Sequence, residues 1–139
     1  MKKTLALLSI LFTLSACEDV QKVDDPAASS SKQANSLTLQ DGTPLNVNGA
    51  IIRTSTKKDG AIDVITHVVK FDSGSKIAEN SIYNTLSKQG YTREIIESTD
   101  TKFKVHYYKK GQPTIGSVYQ ETATQAGQSS VLSIYWKTI

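Results

Sequence analysis

One cysteine stands in 139 residues, so no disulfide can join two points of this chain. Three prolines and eight glycines are too few for a collagen-like or low-complexity chain. No apolar run approaches the ~20 residues that a spanning helix needs. The longest, Leu5–Leu14 (LALLSILFTL), is about half of that. An excess of one charge is also missing. The formal net charge is +3, and two of the basic residues, Lys2 and Lys3, open the chain. Without them, 14 basic residues face 13 acidic ones, which leaves no basic footprint for nucleic acid. The length suits one domain at most.

What is present begins at the N-terminus. Met1-Lys2-Lys3 is a short positive stretch, followed by the apolar run and then Leu14-Ser15-Ala16-Cys17. Such an order has the length and flanks of an export signal. Ser15 and Ala16 are small enough to admit a protease to the backbone, and a thiol is a good nucleophile once deprotonated. Leu-Ser-Ala-Cys resembles the lipobox of bacterial lipoprotein signal peptides. The resemblance implies that residues 1–16 are a signal peptide cleaved between Ala16 and Cys17. It also implies that Cys17 carries a diacylglycerol thioether and an N-acyl chain, so its partner is membrane lipid. In such lipoproteins of enteric-type bacteria, Asp after the cysteine retains the protein in the inner membrane. Glu18 stands there, so the periplasmic face of the outer membrane is expected, with the chain lipid-anchored in the cell envelope.

Residues 17–36 form the expected lipidated tether. From Glu18 the chain reads EDVQKVDDPAASSSKQANS, with two valines as its large apolar residues. A segment so polar cannot bury enough surface to offset its ordering entropy. As coil it reaches ~25 Å root-mean-square. A helix through Val20 and Val23 would be stopped at Asp25-Pro26.

Residues 37–139 read as the globular domain. Leu37–Leu39 and Leu45–Val47 flank an Asp41-Gly42 turn. Ile51–Ser55 is a candidate strand, Lys57–Gly60 a turn, and Ile62–Phe71 (IDVITHVVKF) a β-branched strand. Asp72–Ser75 offers helix caps. Lys76–Gln89 has Ala78, Ile82 and Leu86 on one stripe, with Ile77 and Tyr83 expected to cover sheet edges. Gly90 suits a left-handed cap, with Tyr91 as the apolar residue after it.

Beyond the helix, strand patterns run over Tyr91–Glu97, Lys102–Lys109, Ile115–Thr122 and Val131–Lys137, the last two on either side of a polar loop, Ala123–Ser130. Phe103, Val105 and Tyr107 alternate with Lys102, Lys104 and His106; Leu132, Ile134 and Trp136 alternate with Val131, Ser133 and Tyr135. Short turns imply antiparallel pairing. The fold class predicted is α+β, a two-layer sandwich with one helix packed on an antiparallel sheet in the order strands, helix, three strands. The helix end, Ile82 to Tyr91, is similar to a plan recurring in small bacterial lipoproteins, a likeness of architecture that carries no functional residue.

The chemistry-bearing residues are sparse. His67 and His106 lie one in each of two strands, and a zinc site needs three or four convergent ligands. There is no G-x-S-x-G, and Cys17 is consumed by lipid. Phe71–Lys76 has Gly and Lys at a helix start, without P-loop spacing. No enzyme, cofactor or metal is therefore expected. Tyrosine and tryptophan favour binding surfaces, and alternation turns some of the late aromatics away from the helix. Tyr108 and Tyr135, beside Lys102, Lys104 and His106, are the candidate binding surface. The expected function is a non-catalytic protein-binding module meeting another envelope protein, of the assembly-accessory or toxin-immunity type. The alternative is a periplasmic small-ligand or cell-wall binder or hydrolase with a pocket between helix and sheet.

Overall fold

The computed structural model describes residues 35–138. The expected signal peptide, Cys17 and nearly all of the tether lie outside the described residues. Eight strands and one helix follow in order: β1 (Ser36–Thr38), β2 (Pro44–Asn46), β3 (Ala50–Asp59), β4 (Ile62–Phe71), α1 (Ser75–Lys88), β5 (Thr92–Ser98), β6 (Lys102–Tyr108), β7 (Ile115–Thr124) and β8 (Gly127–Lys137). β1 starts at the residue where the tether was expected to end.

β1 and β2 form a two-stranded sheet; the other six are ordered β3-β4-β8-β7-β6-β5, all antiparallel. The order has a simple origin. β3 and β4 are a hairpin. α1 then carries the chain to the far edge, and β5 to β8 meander back until β8 pairs with β4, joining Phe71 to Ser130 and Val64 to Lys137.

The expectation of an α+β two-layer sandwich with three strands after the helix is corrected. Strands hold 59% of the described residues, in two sheets of two and six strands, so the fold is mostly β with one helix. Four strands follow α1, over the four segments that carry strand patterns, where the predicted order counted three. The expected polar loop Ala123–Ser130 is instead the end of the β7–β8 ladder, in which Thr122 pairs with Ser129 and Ala123 with Gln128. β3 likewise runs through Lys57 and Lys58, where a turn was expected. In both places the backbone ladder continues past the core. Both faces there meet water, so no apolar alternation marks the strand.

One face of the large sheet is buried. Phe103, Val105, Tyr107, Tyr119, Leu132, Ile134 and Trp136 point there and meet Ala78, Ile82 and Leu86 of α1. Leu37, Leu39, Leu45 and Val47 of the small hairpin close the same core. Each such aliphatic side chain contributes about 1.5–3 kcal/mol on burial. α1 ends in a Schellman turn: the Tyr91 N–H donates to the Leu86 carbonyl, the Gly90 N–H to that of Ser87, and Gly90 sits at φ 87°. Ile77 is 68% exposed and covers no edge, whereas Tyr83 packs on the core.

Candidate functional site

The opposite face of the sheet carries all five residues of the candidate surface. In β6, Lys102, Lys104, His106 and Tyr108 alternate with buried Phe103, Val105 and Tyr107. In β8, Tyr135 alternates with buried Ile134 and Trp136. Register aligns them: His106 pairs with Gly116, Gly116 with Tyr135, and Tyr135 with Thr66, a single row across four strands. Lys104, Val118, Ser133, Val68 and Arg53 form the next row. Neither α1 nor the β1–β2 hairpin lies on this side.

Gly116 shapes the row. A β-carbon there would clash with the Tyr135 ring, which lies over the bare backbone. Beside it is an open depression of about 520 Å³ lined by Val64, His106, Pro113, Gly116, Tyr135 and Trp136. His106 Nδ1 is 3.2 Å from the Tyr108 hydroxyl, and its Nε2 is buried with no hydrogen-bond partner. Burial, reinforced by Lys104, lowers the His106 pKa, against the pull of Glu94, so the ring is neutral at neutral pH. Lys102 pairs with Glu97 at 2.8 Å. His67 is not part of this surface: it faces the other side, 2.8 Å from Thr54 Oγ1 and 5.1 Å from the Trp136 ring centroid, and burial lowers its pKa.

A second polar cluster sits between α1 and the sheet and was not anticipated. The Glu79 carboxylate is 2% exposed; it accepts from Arg93 Nη1 at 2.8 Å and from the Tyr107 hydroxyl at 3.1 Å. Tyr83 stacks on Tyr107 with Arg93 4.4 Å above its ring. Burial first, then Glu79, raises the Tyr107 pKa far above that of a free phenol, and burial does the same to Tyr119. The signal was present in the sequence: Glu79 lies three residues before Ile82 and seven before Leu86, on the apolar stripe. Glu79, Arg93 and Tyr107 satisfy one another, and beneath the helix Tyr107, Tyr119, Ile82, Leu86, Leu132 and Ile134 are fully buried. Open clefts remain at the margin of α1, one of about 250 Å³ lined by Glu79, Asn80, Arg93, Ile95 and Phe103 and one of about 450 Å³ at its N-terminus lined by Ser75, Lys76, Asp100, Glu121 and Gln128. Among the described residues, no three His, Cys, Asp or Glu side chains are grouped to hold a metal ion. No family model, no curated protein and no solved structure matches this chain.

Proposed function

We propose that this chain is a non-catalytic protein-binding module, held at the cell envelope by lipid on Cys17, that meets another envelope protein with the open face of its large sheet. One observation carries the reading. Tyr108, Tyr135, Lys102, Lys104 and His106 share an uncovered face with an apolar depression, while the opposite face is filled. Tyrosines supply rigid contact area, and a depression accepts a side chain from a partner. Between helix and sheet the centre is packed, so a ligand of the alternative reading would have only the open clefts at the margin of α1. Assembly-accessory and toxin-immunity proteins are the types that need such a surface and no chemistry. A photo-crosslinking residue at Ser133, in the middle of the open face, tests this in intact envelopes. A discrete protein adduct is expected there and not from the same residue at Asn84 on the exposed side of α1. Equal labelling from both positions would count against the face.

A further inference from the structure

Charge is distributed unevenly between the two sides of this domain. Register places Arg53, Lys57, Lys70, Lys102, Lys104 and Lys137 on the open face, against Asp59, Glu94 and Glu97. That is an excess of three positive charges. The other charged side chains of the described residues are six of each sign, so the whole net charge sits on this face. Two of the bases are spoken for: Lys102 pairs with Glu97 at 2.8 Å and Lys137 with Asp59 at 3.0 Å. Arg53, Lys57, Lys70 and Lys104 form no ion pair among the described residues. Between them run Val64, Val68, Val118 and Val131, half-buried or buried on a face that no layer covers. A floor of valines ringed by unmatched cations, with a depression at one end, is complementary to a protein surface that presents carboxylates around an apolar side chain.

Resting on the reading above, we infer that the open face receives an acidic protein surface. The cations steer the encounter and set its orientation, and the valine floor and depression supply the dry contact. A flat lipid surface would meet the charge but not the recess, and it is the other outcome of the test.

The experiment uses the full chain with the crosslinking residue at Ser133. Arg53→Glu with Lys104→Glu should lower the protein adduct about tenfold or more, because like charges across an interface repel. Arg53→Lys with Lys104→Arg should retain it. The adduct should also fall steeply between 0.1 and 1 M salt, as the screening length shrinks from ~10 to ~3 Å. Circular dichroism separates loss of binding from loss of fold, and should the reversal variant unfold, Arg53→Gln with Lys104→Gln replaces it with an intermediate loss expected. In a defined system, the purified chain should bind poly-L-glutamate in preference to phosphatidylglycerol vesicles. A protein adduct indifferent to charge reversal and salt overturns the acidic partner while leaving the binding face intact. No protein adduct from Ser133 in any variant overturns the binding reading itself, and the inference with it. Adducts to lipid alone, with preference for the vesicles, replace the acidic protein by an anionic membrane.

Discussion

The Glu79 carboxylate is held between Arg93 and Tyr107 on a helix face that is otherwise apolar. Two hydrogen bonds offset the cost of taking it out of water, and the stacked Tyr83 keeps Arg93 in place. Arg93 is a third exposed, so its own removal from water costs little, and the asymmetry matters. Arg93→Met leaves the buried acceptor short of a donor, which costs about 1–3 kcal/mol. Urea unfolding should show a lower midpoint with an unchanged slope. Adding Glu79→Met should recover part of that loss, because an apolar side chain there restores the stripe. A double variant at least as unstable as the sum of the singles would mean that the pair does not act as a unit. Glu79 could be placed on the stripe by helical spacing alone. Its partners could not, since Arg93 and Tyr107 reach it only through the β5–β6 register.

At the scale of elements, the two ends of α1 are secured in different ways. The C-terminal end is local: Gly90 and Tyr91 close it within five residues, and the chain reads that way without any structure. The N-terminal end is not. Its cap is Gly74, which makes no side-chain bond, and the first turn has no acidic residue. Instead Glu121 of β7 accepts from the Ser75 N–H at 2.9 Å and places its charge at the positive end of the helix. A β-carbon on Gly74 would approach Glu121 Oε1 to 2.8 Å, so the glycine makes room for this distant cap. Glu121→Ala should cost about 0.5–2 kcal/mol, the range for losing an N-cap acceptor. Glu121→Gln should cost less, because the amide oxygen still accepts. Thermal melts of both variants check the order, and equal losses would point to the charge rather than the hydrogen bond.

For the molecule as a whole, the proposed function divides address and surface between different parts of the chain. On the proposed reading, Cys17 is the anchor and the sheet is the surface that meets a partner. One acyl chain holds a protein only marginally, while two or three hold it firmly, at ~0.8 kcal/mol per buried methylene. Cys17→Ser should therefore block processing, leave a heavier precursor on a gel and abolish labelling with a radioactive fatty acid. Cleavage of the variant to the same mature size would remove the lipid anchor from the account and leave the domain as an unanchored module.

The sequence alone determined the local features of this protein. These are the alternation of β6 and β8, the stripe and C-terminal cap of α1, and the Asp41-Gly42 turn, because each depends on residues within a few positions of one another. It also selected Tyr108, Tyr135, Lys102, Lys104 and His106 as outward-facing. Only the tertiary structure decided that they share a single face, because Tyr135 of β8 reaches the β6 residues through β7, where His106 pairs with Gly116 and Gly116 with Tyr135. The extent of the strands was decided there too. A ladder bonded through its backbone runs on through Thr122, Lys57 and Lys58 whatever their side chains prefer, so the polar ends of β3, β7 and β8 left no apolar pattern to read and the fold is mostly β.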